Sequence, residues 1–82
     1  MKILYFAWLR EKVGFPYEEK EVDAVTVIDL INDLIQLDEK YAIAFSDLNS
    51  IRVAVDQKLA QDFNVSIKNA KEVAFFPPMT GG

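Results

Sequence analysis

The sequence predicts a small α+β domain in which a mixed sheet of four to five strands carries one main helix on one face. Three observations predict it. The chain has 82 residues, 51% of them hydrophobic, which suits one domain with a single packed core. Short runs rich in β-forming residues occur near both ends and in the middle of the chain. Between them lies one segment whose apolar residues repeat with the period of an α-helix.

Two strands are predicted before this helix. Lys2 to Trp8 is almost continuously apolar, as expected of a strand in the middle of a sheet. Residues 10–16 predict a polar connection that Gly14 and Pro16 close. Glu18 to Val22 is short and charged, which favours a strand at the edge of the sheet.

The main helix is predicted from Val27 onwards. Counted from Val27, apolar residues occur three, four, seven and eight positions later, namely Leu30, Ile31, Leu34 and Ile35. Thr26 is a good N-cap, and Asp29 places a negative charge in the first turn. A helix this apolar is expected to cover its own sheet, although the pattern also suits a helix that binds a partner.

The second half of the chain predicts three more strands. Tyr41 to Phe45 is compatible with a short helix or a strand, because periodicity does not decide over five residues. Residues 46–50 predict a turn. Ile51 to Val55 is a predicted strand, followed by a tight connection and a short strand near Leu59. The last predicted strand is Glu72 to Phe76.

Alternation along the strands predicts a second, apolar face of the sheet. The residues expected under the helix are Ile3, Tyr5, Val53, Val55, Val73 and Phe75, and those expected outside are Leu4, Phe6, Trp8, Ala54, Ala74 and Phe76. The outer set is more apolar than solvent exposure explains. Either loops cover this face or it docks another protein, with Phe6, Leu59 and Phe76 as the expected anchors.

Charge and residue inventory limit the possible functions. The net charge is −4 and the nine basic residues are scattered, which argues against a nucleic-acid partner. The chain has no cysteine and no histidine, so it lacks a thiolate nucleophile and the commonest general base, and no metal site is expected. No signal peptide or membrane-spanning stretch is visible, which predicts a cytoplasmic protein without a membrane partner. The chain is poorly equipped to catalyse a reaction alone.

The end of the chain predicts a tail with one reactive group. Gly81 and Gly82 hold two of the three glycines, an ending expected by chance in roughly 0.5% of chains at a glycine usage of about 7%. Pro77 and Pro78 form a stiff spacer, and Thr80 precedes the glycines. We therefore expect a domain over residues 1–76 and an extended, flexible tail over residues 77–82. Such a tail suits a channel too narrow for a Cβ, although terminal glycines are also common as frayed ends.

Three parts of the sequence carry a resemblance that spans nearly the whole chain. They are residues 5–7 with 10–11, residues 52–55, and residues 72–82. They resemble the β-grasp sulfur carriers of the ubiquitin superfamily, and within them the small subunits of molybdopterin synthases. The ending Phe-Phe-Pro-Pro-x-Thr-Gly-Gly is the most specific part. Asp56, in place of the usual asparagine, and residues 69–71, in place of the usual Gly-Asp, depart from the family pattern in connections.

The resemblance implies a β-grasp (ubiquitin-like) fold and a chemistry carried out by partners. An adenylating activating enzyme would use ATP to convert the Gly82 carboxylate to an acyl-adenylate. A persulfide from a sulfur donor, such as a cysteine desulfurase or rhodanese system, would displace AMP and leave a thiocarboxylate. The large subunit of molybdopterin synthase would then bind the tail and pass the sulfur to cyclic pyranopterin monophosphate, forming the dithiolene of molybdopterin. Covalent sulfur on Gly82 is implied, and no tightly bound cofactor.

Three alternatives stay open at this point. A sulfur carrier for the thiazole of thiamine shares the fold and the tail chemistry, but residues 75–78 fit it less well. A ubiquitin-like modifier would transfer its terminal carboxylate to lysines of other proteins. A plain interaction module would have an inert tail, so that loss of Gly82 would be harmless.

Overall fold

The computed structural model describes residues 1–78 of the chain. In this part it has five strands and three α-helices, in the order β1 Lys2–Tyr5, α1 Trp8–Val13, β2 Tyr17–Glu19, α2 Val27–Leu37, α3 Glu39–Ala44, β3 Arg52–Val55, β4 Lys58–Leu59 and β5 Glu72–Phe76. A 3-10 turn over Leu48–Ser50 precedes β3. Among these described residues, no helix has the length and apolar character needed to cross a membrane.

The five strands form one mixed sheet in the order β2-β1-β5-β3-β4. The first and last strands, β1 and β5, pair in parallel at its centre, and the remaining pairs are antiparallel. This confirms the predicted α+β class with a mixed sheet. Because β5 runs parallel to β1, the C-terminal ends of these two neighbouring strands lie side by side. The segment that follows Phe76 therefore leaves the sheet beside the end of β1.

Helix α2 forms as its periodicity predicts. Its N-cap is Thr26, whose Oγ1 accepts a hydrogen bond from the backbone N–H of Asp29 at 3.3 Å. Its apolar stripe is buried at Val27, Leu30, Ile31 and Leu34. The inward positions of the central strands are also buried, namely Ile3, Tyr5, Val53, Val73 and Phe75. The core therefore lies between the helices and one face of the sheet, as alternation along the strands predicts.

The predicted strand over Lys2 to Trp8 and the polar connection after it are wrong in part. The strand ends at Tyr5, and a helix, α1, begins at Trp8. Leu9 and Val13, one helical turn apart, bury their side chains in the core, and that burial stabilises the helix. Gly14 ends it in a left-handed conformation with φ of 102°. Trp8 is thus absent from the outer face of the sheet and packs, half-buried, against the core.

The other elements differ from the predictions in smaller ways. The edge strand is confirmed, but it covers Tyr17–Glu19 rather than Glu18 to Val22. The ambiguous segment from Tyr41 is helical and belongs to α3. Strands β3, β4 and β5 occur where the sequence predicts them.

Candidate functional site

One face of the sheet packs against α2, and the other face carries an apolar row that crosses all five strands. Paired residues in neighbouring strands share a face, and the register aligns Tyr17, Leu4, Ala74, Ala54 and Leu59 in that order. The two ends of the row are well exposed, at 53% for Tyr17 and 69% for Leu59. We call this side the open face. Its central row is apolar from one edge of the sheet to the other, and charged residues such as Lys2, Glu72 and Arg52 lie on either side of that row.

A groove of about 400 Å³ lies on the open face where β5 ends. Its lining consists of Phe6, Ala74, Phe76, Pro77 and Pro78. Phe6 is 47% exposed, and the small side chain of Ala74 leaves space between its larger neighbours. The groove therefore lies at the root of the predicted tail, beside the last residue that the structure describes.

Backbone pairing fixes both sides of this groove. The N–H of Phe6 donates to the carbonyl of Phe75 at 3.0 Å, which holds the residue after β1 against β5. On the other side, Phe76 pairs with Arg52 of β3. The Arg52 Nη1 atom donates to the carbonyls of Asn49 at 3.1 Å and of Ile51 at 3.0 Å. The residue that pairs with Phe76 is therefore an exposed cation whose guanidinium is bound to carbonyls just before β3.

Each of the two departures from the family pattern includes a residue in the left-handed backbone region, Asp56 in one and Asn69 in the other. Asp56 and Gln57 form the two-residue turn between β3 and β4, with φ of 49° and 69°, as a type I′ hairpin requires. Asn69 has φ of 66°. Aspartate and asparagine tolerate this region better than most residues. Asp56 and Asn69 therefore suit the backbone conformation of the turns in which they occur.

A partly buried polar cluster joins β2 to α3 on the helical side of the sheet. The Glu18 Oε2 atom accepts hydrogen bonds from the hydroxyls of Tyr5 at 2.7 Å and of Tyr41 at 2.6 Å. Lys20 Nζ lies 3.3 Å from the other carboxylate oxygen. No pattern in the sequence predicts this cluster, because its members are 13 and 23 residues apart. The one available signal is that buried tyrosine hydroxyls need partners.

The cluster changes the pKa of each of its acidic groups. Burial, followed by the hydrogen bond to Glu18, raises the pKa values of Tyr5 and Tyr41 above the usual range. Burial opposes ionisation of Glu18 as well, but hydrogen bonds from Tyr41, Tyr5 and Lys20 outweigh it and lower the pKa of that carboxyl. At neutral pH the cluster therefore holds one carboxylate and two neutral phenols. It connects secondary-structure elements on the helical side of the sheet, whereas the groove lies on the open face.

The structure brings together four of the site residues that the sequence predicts. Phe6, Phe76, Pro77 and Pro78 all line the groove. Leu59 shares the open face but lies at its far edge, on β4. Thr80, Gly81 and Gly82 lie outside the described residues. Within residues 1–78, no three acidic side chains come close enough together to hold a metal ion.

Comparison with known proteins relates this arrangement to a family. Residues 3–82 match the model of the ThiS family. The chain belongs to the ThiS family. Relatives with the name molybdopterin synthase sulfur carrier subunit occur in Escherichia coli K12, at 38% identity, and in Haemophilus influenzae, at 35% identity. Each alignment covers 100% of this chain and 99% of the relative, which confirms the resemblance to molybdopterin synthase small subunits.

Solved structures similar to this ThiS-family chain support the same fold. SAMP1 from Haloferax volcanii superimposes with a TM-score of 0.71 at 25% identity, over 100% of this chain and 98% of its own. A Pyrococcus furiosus protein, assigned as subunit 1 of a molybdopterin converting factor, superimposes with a TM-score of 0.72 at 27% identity, over 95% of each chain. Both neighbours are ubiquitin-like proteins, so the predicted β-grasp fold is confirmed.

Proposed function

We propose that this ThiS-family chain is the sulfur carrier subunit of a molybdopterin synthase. The observation that carries the proposal is the full-length identity of 38% to a curated carrier subunit. The ending of the sequence also supports it, because residues 77–82 finish in two glycines without side chains, with a carboxylate at Gly82. The rest of the chain supplies no cysteine or histidine for catalysis.

The chemistry at Gly82 needs a partner for each step. A carboxylate is a poor electrophile, so an activating enzyme first joins it to the α-phosphate of ATP and releases pyrophosphate. The terminal sulfur of a donor persulfide then attacks the acyl-adenylate and releases AMP. A thiol cleaves the resulting acyl disulfide, which leaves a thiocarboxylate on Gly82. Since the activation consumes ATP, we propose the cytoplasm as the place of the reaction.

The large subunit would supply the acids, bases and substrate-binding groups, and this chain would supply sulfur and a docking surface. Residues 77–82 span about 20 Å when extended, at roughly 3.3–3.6 Å per residue. That reach is enough to carry the Gly82 sulfur away from the open face into the active site of a partner. The groove lined by Phe6 and Phe76 is apolar and lies at the base of this tail, which suits a surface that holds the carrier while the tail is inserted.

Turnover with the large subunit tests the proposal. The thiocarboxylate form, mixed with a molybdopterin synthase large subunit and cyclic pyranopterin monophosphate, should yield molybdopterin and return to the carboxylate. The matched control is the chain loaded in the same way and mixed with a thiazole synthase and its substrates. Turnover with the thiazole synthase alone would overturn the proposal in favour of a thiamine carrier. Attachment of the chain to lysines of other proteins, without sulfur transfer, would instead favour a modifier.

A further inference from the structure

A tight turn links β1 to α1 at the edge of the groove. It covers residues 6–9 and is closed by a hydrogen bond from the N–H of Leu9 to the carbonyl of Phe6 at 3.2 Å. Its second residue, Ala7, has φ of 55° and ψ of −132°. These angles are close to those of a type II′ turn, about 60° and −120° at this position. Glycine dominates that position, because a Cβ is strained there.

Nothing within the domain explains an alanine at this position. Ala7 is exposed, and it is absent from the core and from the half-buried residues that pack against the core. Its methyl group therefore contributes no packing that would offset the strain. For folding alone, glycine would serve better at Ala7.

The position of the turn indicates where the methyl group is useful. Ala7 directly follows Phe6, whose ring lines the groove and whose N–H is bound to β5. The exposed turn that carries Ala7 is thus joined directly to a residue that lines the groove. We infer that Ala7 is part of the surface that binds the large subunit, and that its methyl group packs against that partner. This inference rests on the proposed function.

The substitution Ala7→Gly tests the inference in two measurements. The melting temperature should be equal to that of the wild type or higher, because the strain is removed. The Kd for the large subunit, measured by titration calorimetry, should rise about fourfold, the effect of removing one buried methyl-sized group. The matched control is Asn69→Gly, which replaces another exposed residue of positive φ. Asn69 lies near the start of β5, at the opposite end of that strand from the groove, so this change should leave the Kd unaltered.

Two results would overturn the inference. One is a Kd for Ala7→Gly within about twofold of the wild-type value. The other is a clear fall in melting temperature, which would show that the methyl group stabilises the domain itself. Failure of the wild-type chain to bind the large subunit is a different result, since it would refute the proposed function together with the inference.

Discussion

Asp56 and Glu72 exchange two hydrogen bonds across the end of the sheet. The N–H of Asp56 donates to the carbonyl of Glu72 at 2.9 Å, and the N–H of Glu72 donates to Asp56 Oδ1 at 3.0 Å. The same carboxylate oxygen accepts a bond from the N–H of Lys71 at 2.9 Å. Because Glu72 begins β5, the turn after β3 anchors the strand whose other end precedes the predicted tail.

Replacing Asp56 should weaken this anchor. Asp56→Ala removes the acceptor of two backbone N–H groups and places an alanine at φ of 49°, so the free energy of unfolding should fall by about 1–2 kcal/mol. Asp56→Asn retains an acceptor oxygen and the tolerance for positive φ, and should lose less than half as much. Urea denaturation of both variants measures the difference. Equal stability of Asp56→Ala and the wild type would show that these hydrogen bonds contribute nothing.

The Glu18 cluster should make stability depend on pH in the acidic range. Because the pKa of Glu18 is lowered in the folded state, the carboxylate stabilises the fold above the ordinary glutamate pKa of about 4.3. That contribution is lost as pH falls through the lower, folded-state pKa. Glu18→Gln should therefore cost about 2 kcal/mol at pH 7, the scale of hydrogen bonds to a charged group, and much less near pH 3. A difference from the wild type that stays constant across this range would contradict the assignment.

The sequence predicts best those parts of the fold whose stabilising contacts join residues close together in the sequence. Helix α2 follows from local periodicity, and β5 from its β-forming residues between polar segments. The sequence does not predict helix α1, because the apolar run from Lys2 continues through Trp8 as a strand would. No residue type marks the positive φ of Ala7, where the chain turns. The pattern of Leu9, Val13 and Gly14 is its only local signal.

The candidate site shows the same limit. Alternation predicts that Phe6 and Phe76 face outwards, but only the parallel pairing of β1 with β5 brings them to one groove. Leu59, the third expected anchor, lies on the same face but at the far edge of the sheet, because β4 pairs only with β3. Register between distant strands depends on the whole fold, so a local pattern cannot supply it.

A charge placed in the groove of the open face should lower the affinity of the chain for its proposed partners. Phe6→Lys should weaken binding to the large subunit by at least about tenfold, since a large buried side chain contributes roughly 1.5–3 kcal/mol. Binding to the activating enzyme should weaken too, because the proposed function requires the same tail to reach both partners. Phe6 is 47% exposed, so circular dichroism should show an unchanged fold.

Ile43→Lys is the matched control for this change. Ile43 is 52% exposed, but it lies on α3 in the helical layer, and its substitution should leave both affinities unaltered. Wild-type affinity of Phe6→Lys for both partners would refute a docking role for the groove. Equal weakening by the two variants would point to charge alone rather than to the groove.

A side chain near the end of the tail should block sulfur transfer without affecting the fold. Gly81→Val adds a branched Cβ that restricts the backbone and widens the tail. Formation of molybdopterin by the assembled synthase should fall to background, whereas the melting temperature should match that of the wild type. Gly81→Ala, with a single methyl group, is expected to retain more activity than the valine variant. Normal product formation by Gly81→Val would show that the tail does not enter a narrow channel.

Intact-mass spectrometry of the activated chain most directly tests the role of Gly82 as the sulfur-carrying residue. The purified chain is incubated with its activating enzyme, ATP and a sulfur donor, alongside a variant extended by one alanine after Gly82. The wild type should gain the mass difference between sulfur and oxygen, located by fragmentation at Gly82, and the extended variant should gain nothing. An unchanged wild-type mass with every sulfur donor, or equal loading of the extended variant, would contradict a sulfur carrier that works through the Gly82 carboxylate.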